Sequence, residues 1–259
     1  KYTKKFSIST TDENLKQRAL KDGIKILNFE ELVDEIIICA GYKKIISKAF
    51  LEKNNIINIH YSLLPKYRGY HSTVWGILNN EKFLGATVHL MNENIDDGDI
   101  IFQYKVKNEV KKTSYDYMVE FNEYIEKNIY EIVQKYLNKE IVPTKQNLKE
   151  ATWVGKRNKE DCKIDFSRDS SYLKNFVRAL VEPYPLPFLV YEGKEYEILE
   201  VDFHLANCET HLGRVLNIDN LGVYIKIKDG YIILKKLKYN DSIYSANTII
   251  KKIGYKFIK

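Results

Sequence analysis

The chain has 259 residues, 44% of them hydrophobic, and a formal net charge of +6; this length exceeds that of a common single domain, so two domains are expected. Neither a secretory signal nor an apolar run near the roughly 20 residues of a membrane span is visible, which predicts a soluble cytoplasmic protein without a membrane partner. Its cysteines, Cys39, Cys162 and Cys208, are odd in number and far apart, so neither a disulfide framework nor a metal site is expected.

Predicted strands and helices alternate from the start of the chain. A strand is predicted at KKFSIST, and a helix at DENLKQRALKDGIKIL, where Gly23 ends it. The apolar runs EIIICAGY and IINIH predict strands buried on both faces, joined by a helical connector at KIISKAFLEKN. This alternation predicts an α/β fold with a Rossmann-like, mostly parallel sheet.

The same pattern continues as far as a long helix. A helix entered at Ser72 or Thr73 is predicted at HSTVWGILNNE, and strands at GATVHLM and IIFQYKVKN flank the loop NENIDDGD. Thr113 or Ser114 can cap the long helix. Its apolar residues recur at steps of three and four, as expected for core positions: Met118, Phe121, Ile125, Ile129, Ile132 and Tyr136.

The pattern changes after Pro143. A further helix is predicted at SSYLKNFVRALVE, before PYPLP, and short β-type runs follow from Tyr196 onward. We therefore predict a catalytic domain over residues 1–155 and a C-terminal domain over 156–259, with a helix and then a small antiparallel, OB-like β structure. The chain starts without Met, and no apolar strand, glycine turn and helix precede KKFSIST, which is compatible with a missing leading βα unit.

Polar residues follow two of the predicted strands. Asn58 and His60, two positions apart, face the same side at the end of a strand, where ligands gather in parallel sheets. They form either a catalytic pair or a turn cap beside a hydrogen-bonded core histidine. The loop NIDDGDII adds Asp96, Asp97 and Asp99, either as partners of this pair or as a solvated turn or cation site.

An Asn, a His and an Asp that converge can support acyl transfer to an amine. Asn58 can donate its amide N–H to a developing oxyanion, and His60 can accept the proton of the amine. Asp96 can stabilise the charge on the imidazole. No nucleophile from the protein is then required.

These residues, together with VWGILNNE, GATVHLMNENIDDGDIIFQ, GKRNKEDCKIDF and VRALVEPYPLPF, resemble those of the folate-dependent formyltransferases. The likeness is strongest to the sugar N-formyltransferases that act on nucleotide-linked amino sugars. It implies transfer of a formyl group from 10-formyltetrahydrofolate to the amine of a dTDP- or UDP-linked amino sugar, for O-antigen or other surface glycan synthesis. It also implies catalytic roles for Asn58, His60 and Asp96, and folate contacts at Gly41, Tyr42, Lys43, Asn92, Asn94, Ile95 and Asp96.

Candidate substrate contacts lie near these motifs. The candidates for the diphosphate are Lys66, Arg68, Lys156 and Arg157, because Arg offers bidentate donors and Lys a mobile charge. Ser62, Tyr67 and Tyr70 are candidates for the sugar. Tyr184 could stack on a base, with turn packing as an equal alternative, whereas packing is favoured for Trp75 and Trp153 and a structural role for His89.

Other functions remain open at this point. Methionyl-tRNA formyltransferase shares the catalytic trio but needs a strongly basic face for its acceptor stem, and +6 is modest, so no nucleic-acid partner is expected. A non-catalytic sugar-nucleotide or folate-binding protein is a hypothesis of another class, against which the intact trio argues. A formyltetrahydrofolate deformylase would carry a regulatory amino-terminal domain, and none is visible. A homodimer is compatible with the sequence.

Overall fold

Strands and helices alternate through the first half of the chain, and strands dominate the second half. The computed structural model describes residues 7–32, 36–42 and 46–257. Its helices are Glu13–Lys21 (α1), Lys48–Lys53 (α2), Ser72–Leu78 (α3), Ser114–Leu137 (α4), Ser170–Ala179 (α5) and Ala246–Ile249 (α6). Its strands are Ser7–Ile8 (β1), Lys25–Ile26 (β2), Ile36–Ala40 (β3), Asn55–His60 (β4), Arg68–Gly69 (β5), Phe83–Leu90 (β6), Ile100–Lys107 (β7), Trp153–Val154 (β8), Phe188–Tyr191 (β9), Lys194–Leu205 (β10), Val215–Ile218 (β11), Val223–Ile227 (β12), Gly230–Tyr239 (β13) and Ser242–Ser245 (β14).

The first half contains a four-stranded sheet in the order β3, β4, β6, β7. β3 and β4 are parallel, whereas β4 pairs antiparallel with β6, and β6 antiparallel with β7. The antiparallel part arises because β6 and β7 are joined by a short loop, which reverses the chain. A separate parallel pair joins β1 to β2. The predicted α/β class, followed by a smaller and largely β part, is confirmed.

The second half contains an antiparallel sheet in the order β11, β12, β13, β10, β9, with β14 paired to β13. The predicted β-type runs, YEILEVDF, GRVLNI, GVYIKI and YIILKKL, form β10 to β13. The strands β9 and β14, and the two-residue strands β5 and β8, were not predicted. β5 and β8 pair in parallel and connect the loop after β4 to the segment that begins at Trp153.

Local capping explains where the longer helices begin. Asp12 accepts the N–H of Leu15 at 2.9 Å at the start of α1, and Thr113 forms a capping box with Asp116 at the start of α4. Among the predicted core positions of α4, Phe121, Ile125 and Ile132 are buried and Met118, Ile129 and Tyr136 are half-buried. No helix in the described ranges is long and apolar enough to cross a membrane.

One hydrophobic core extends through both halves of the molecule. It joins Ile57 of β4 and Phe121 of α4 to Leu173 of α5 and Leu234 of β13, each 0% exposed. A smaller cluster around Ile37 packs on the other side of β3 and β4. The core therefore fixes β4, and with it the polar residues at its end, against both sheets.

Candidate active site

Asn58 and His60 lie at the carboxyl end of β4, on the same side of the strand. Ile57 faces the other way and is completely buried in the core. In the antiparallel pair with β6, Asn58 lies opposite His89 and His60 lies opposite Thr87. The packing of β4 therefore determines the side on which the two polar residues project.

Asp96 lies in the loop after β6, with a left-handed backbone at φ 51°. Its side chain is 12% exposed, and its Oδ2 lies 3.4 Å from His60 Nδ1. Its Oδ1 accepts a hydrogen bond from Asn58 Nδ2 at 3.3 Å. Two groups hold it there: the Gly69 N–H donates to Oδ2 at 2.8 Å, and Gln146 Nε2 donates to the Asp96 carbonyl at 2.8 Å. The structure thus brings the three predicted catalytic side chains into one cluster.

His89 is a fourth member of this cluster, although the sequence favoured a structural role for it. The ring is 1% exposed. Its Nδ1 lies 2.7 Å from the Leu90 carbonyl, which only accepts, so Nδ1 carries the hydrogen. Its Nε2 is then free to accept from Asn58 Nδ2 at 3.2 Å. Both N–H groups of the Asn58 amide are therefore used, one by His89 and one by Asp96.

The charges in the cluster favour a neutral imidazole beside a carboxylate. Burial lowers the pKa of His60, and the Asp96 charge opposes this shift without cancelling it. Burial alone would raise the pKa of Asp96, but its hydrogen-bonded surroundings, the Gly69 N–H among them, bring it below its ordinary value. The cluster therefore combines an amide donor, an uncharged base and a counter-charge, which is what acyl transfer to an amine requires.

The residues predicted to bind folate lie on two loops beside the cluster. Gly41 follows β3, which runs parallel to β4 and ends beside it. Tyr42 is 38% exposed, and its ring stacks on Phe29 at a centroid distance of 4.7 Å. Lys43 lies outside the described residues.

The second loop joins β6 to β7 and contains Asn92, Asn94 and Ile95. The Asn94 N–H donates to Asn92 Oδ1 at 2.9 Å, and Ile95 is 63% exposed. Glu93 forms an ion pair with Lys48 at 3.0 Å, which connects this loop to the helix after the Tyr42 turn. Exposed aromatic and apolar side chains on the two loops suit a flat aromatic ligand.

The predicted contact of Arg68 with a diphosphate needs correction. Arg68 is 3% exposed, and its Nη2 pairs with Asp97 Oδ1 at 2.6 Å and with Gln146 Oε1 at 2.7 Å. Its charge is therefore neutralised inside the protein. Arg68 connects β5 to the loop of Asp96 and is not available to a ligand.

Ser62, Lys66 and Tyr67 also lie elsewhere than predicted. They line a cavity of about 490 Å³ behind the loop after β4, and Asn58, His60 and Asp96 do not line it. The Tyr67 O–H donates to Glu81 Oε1 at 2.9 Å, and Lys66 Nζ lies 3.5 Å from the same oxygen. Ser62 Oγ donates to the Lys66 carbonyl at 2.7 Å. The predicted contacts of Ser62 and Tyr67 with the sugar, and of Lys66 with the diphosphate, are therefore not supported.

The remaining candidate substrate residues lie around His71: Tyr70, Lys156, Arg157 and Tyr184. The Arg157 N–H donates to His71 Nδ1 at 3.3 Å, and the Tyr184 ring meets the His71 ring edge-on at 5.2 Å. Burial, and after it the charges of Arg157 and Lys156, lower the pKa of His71. Tyr70, the preceding residue, is 50% exposed. His71 was not predictable as a site residue from the sequence, because its partners lie far away along the chain.

Trp153 does not show the packing expected for it. It is 65% exposed, and the Arg68 guanidinium carbon lies 5.4 Å from its ring centroid. Trp75 fits the expectation better, since it is half-buried and its indole N–H donates to the Gly155 carbonyl at 3.1 Å. Within residues 7–32, 36–42 and 46–257, no group of three or more His, Cys, Asp or Glu side chains could hold a metal ion.

Two family descriptions match the chain. Residues 4–133 match the formyl transferase family, and residues 156–253 match the formyl transferase C-terminal domain. The chain belongs to the formyl transferase family. The predicted family and the predicted class of enzyme are thereby confirmed.

Similar formyltransferases differ in the acceptor that their names give. Methionyl-tRNA formyltransferase from Clostridium tetani (strain Massachusetts / E88) is 30% identical over 251 residues, which cover 91% of this chain and 79% of that protein. The solved sugar 3N-formyl transferase WlaRD, in the presence of dTDP and 5-N-formyl-THF, is 26% identical with a TM-score of 0.67, over 87% of this chain and 85% of that chain. The N-formyltransferase from Helicobacter canadensis, in complex with folinic acid and dTDP-3-aminofucose, is 25% identical with a TM-score of 0.68, over 90% and 86% of the two chains.

Proposed function

We propose that this formyltransferase transfers a formyl group from 10-formyltetrahydrofolate to the amine of a nucleotide-linked amino sugar. The observation that carries the choice of acceptor is the match to the two solved sugar enzymes, which extends over 85% and 86% of their chains. Both were solved with a formylated folate and a dTDP compound. The predicted folate donor agrees with them, and the loops of Tyr42 and Ile95 are its proposed binding site.

In the proposed reaction, the amine nitrogen bonds to the formyl carbon while the bond from that carbon to N10 of the folate breaks. His60 accepts the proton of the amine, directly or through a water molecule, and returns it to N10. Its lowered pKa keeps the ring unprotonated and able to act as a base near neutral pH. Asp96, 3.4 Å away, stabilises the imidazolium that forms.

Asn58 is the proposed donor to the formyl oxygen, on which negative charge develops. One of its N–H groups stays with His89 at 3.2 Å. The other, at 3.3 Å from Asp96 Oδ1, is in a long hydrogen bond that a better acceptor can replace. Charge on the oxygen would make it such an acceptor, so the interaction would strengthen as the transition state forms.

The group around His71 is the proposed site of the nucleotide diphosphate. Two residues of chain span at most about 7 Å, so the His71 backbone lies close to Gly69, whose N–H holds Asp96. Lys156 supplies a positive charge, and Tyr184 supplies an aromatic ring for the base. Arg157 is 7% exposed and its Nη2 donates to the Asp161 carbonyl, so its guanidinium would contribute positive charge to the site from inside the protein, while its backbone N–H donates to His71.

The charge distribution of the C-terminal sheet argues against a tRNA acceptor. Binding of a nucleic acid relies on Lys and Arg that neutralise phosphates. Three lysines of β13 instead lie beside carboxylates of β10: Lys235 with Asp202 at 2.6 Å, Lys236 with Glu200 at 2.7 Å and Lys238 with Glu197 at 3.6 Å.

Methionyl-tRNA formyl transfer is the second candidate, favoured by the 30% identity to the Clostridium tetani enzyme.

A panel of acceptors tests the proposal. The purified protein is incubated with 10-formyltetrahydrofolate and, in parallel, with dTDP- and UDP-linked amino sugars or with methionyl-tRNA, and the products are analysed by mass spectrometry. We expect the gain of one formyl group on a nucleotide-linked amino sugar. Formylation of methionyl-tRNA alone would replace this proposal with the second candidate.

A further inference from the structure

The backbone of Tyr67 is held in place by three anchors. Its conformation is left-handed, with φ 60°, and its N–H donates to Thr152 Oγ1 at 2.8 Å. Its phenol O–H donates to Glu81 Oε1 at 2.9 Å, and Asn79 Nδ2 donates to the phenol oxygen at 3.2 Å. Burial raises the pKa of the phenol to about 12, so the phenol remains a donor at neutral pH.

The carbonyl of this residue contacts the proposed base. His60 Nε2 lies 2.8 Å from the Tyr67 carbonyl oxygen. A carbonyl oxygen only accepts, so Nε2 carries a hydrogen in this arrangement. Nδ1, 3.4 Å from Asp96 Oδ2, is then the only ring atom that can take up a proton.

Two groups compete for the imidazole hydrogen. The Tyr67 carbonyl favours the tautomer with hydrogen on Nε2, and the Asp96 carboxylate favours the tautomer with hydrogen on Nδ1. The carbonyl is nearer, at 2.8 Å against 3.4 Å. In the tautomer with hydrogen on Nδ1, that atom cannot accept a further proton. Its Nε2 lone pair then faces the Tyr67 carbonyl oxygen. The position of the Tyr67 carbonyl therefore decides whether His60 can act as a base at Nδ1.

The same loop also holds the carboxylate. Two residues after Tyr67, the Gly69 N–H donates to Asp96 Oδ2 at 2.8 Å. Arg68, between them, is fixed by Asp97 and Gln146. A shift of the loop would move both partners of His60 at once.

We propose that Tyr67 is a positioning residue, whose side chain, anchored on Glu81, fixes the carbonyl that keeps the hydrogen of His60 on Nε2 and leaves Nδ1 to accept a proton. This inference rests on the role of His60 as base in the proposed function. It assigns to Tyr67 a role that requires no contact with the substrate, in agreement with the position of its side chain.

The tautomer of His60 can be measured in the protein without substrate, by ¹⁵N NMR of histidine-labelled samples, with His60→Asn used to assign the His60 signals. The test variant is Tyr67→Phe. The matched control is Tyr104→Phe, which removes a comparable bond to Glu120 Oε1 at 3.1 Å between β7 and α4. Glu81→Ala is a second test variant, in case Tyr67→Phe does not fold, because it keeps Tyr67 and removes its anchor.

We expect the wild type and Tyr104→Phe to carry the hydrogen on Nε2, and Tyr67→Phe and Glu81→Ala to show more of the Nδ1–H tautomer. With the acceptor found in the panel, kcat of the test variants should fall about tenfold to a hundredfold with little change in KM. An unchanged tautomer in folded test variants would overturn the inference, even if kcat falls. A shifted tautomer in a protein that formylates no amino sugar would support the inference and count against the proposed acceptor.

Discussion

Asn58 enters the reaction with both N–H groups in use, one with His89 and one with Asp96. Asn58→Ala removes the proposed donor to the formyl oxygen and leaves β4 otherwise intact. We expect kcat to fall by about 10²- to 10³-fold, the usual effect of losing one such donor. Single-turnover formyl transfer measures this, together with the thermal midpoint as a control for folding. A folded variant with wild-type turnover would exclude the role.

His89 is expected to act through Asn58. His89→Gln can still offer an oxygen to the Asn58 amide, whereas His89→Leu leaves that N–H without an acceptor in a buried place. An unsatisfied buried donor costs about 1–3 kcal/mol, so we expect the Leu variant to be less stable and to have a lower kcat than the Gln variant. Urea unfolding and steady-state kinetics compare the two. Equal kcat in both variants would show that His89 does not orient Asn58.

The direction in which a side chain projects was predictable from the sequence where a single strand determines it. The spacing of Asn58 and His60 placed both on one side of a strand, and the structure agrees. The position of His89 depends on the register of β4 with β6, which the spacing within one strand does not determine. Arg68 was misassigned because a cation in a loop motif looks the same whether it faces a ligand or, as here, Asp97.

At the scale of elements, the conformation of the loop that follows β4 and contains β5 depends on Gly69. Its φ is 103°, and a Cβ there would lie 2.4 Å from the Val154 carbonyl oxygen of β8. Gly69→Ala should therefore lower the free energy of unfolding by about 1–3 kcal/mol and reduce formyl transfer, since the Gly69 N–H holds Asp96.

Gly155→Ala provides the matched control for this prediction. A Cβ at Gly155 meets no atom within 4 Å, so its stability should remain close to that of the wild type. Urea unfolding of the two variants gives the comparison. Equal stability of Gly69→Ala and Gly155→Ala would show that the loop adapts to a side chain.

Helices and long strands were predictable because their signals are local. The cap at Thr113 and the periodic apolar residues of α4 identified that helix, and its capping box is present. The pair of β5 and β8 was missed because each strand has two residues and its partner lies 85 residues away in the chain, as in the register of Arg68 with Trp153. Strands this short have no periodicity of their own.

At the scale of the whole molecule, one core extends from β4 to β13, which favours a single unfolding transition. The pKa values of His60 and His71 are lowered by burial, so below about pH 6.5 the unfolded chain binds more protons at these residues than the folded protein. The stability that neutral His60 and His71 contribute is fully present above about pH 6.5. It is lost as the pH falls towards the pKa values of these residues in the folded protein. The lowered pKa of Asp96 adds a loss only below about pH 4.

We therefore expect the thermal midpoint to fall between about pH 7 and pH 5, and His60→Asn and His71→Asn to reduce this slope. His204→Asn is the control, because His204 is exposed in the C-terminal sheet. Calorimetry at several pH values measures the slopes. Identical slopes in the wild type and both test variants would contradict the predicted effect of burial.

The exposed ring of Trp153 offers a built-in optical reporter. The chain has two tryptophans, and Trp153 is 65% exposed, at the strand beside the loop that holds His60 and Asp96. A ligand that covers this indole would alter its fluorescence emission. Comparing the wild type with Trp153→Phe would isolate that signal, so occupancy could be followed by titration without labelling the protein or the ligand.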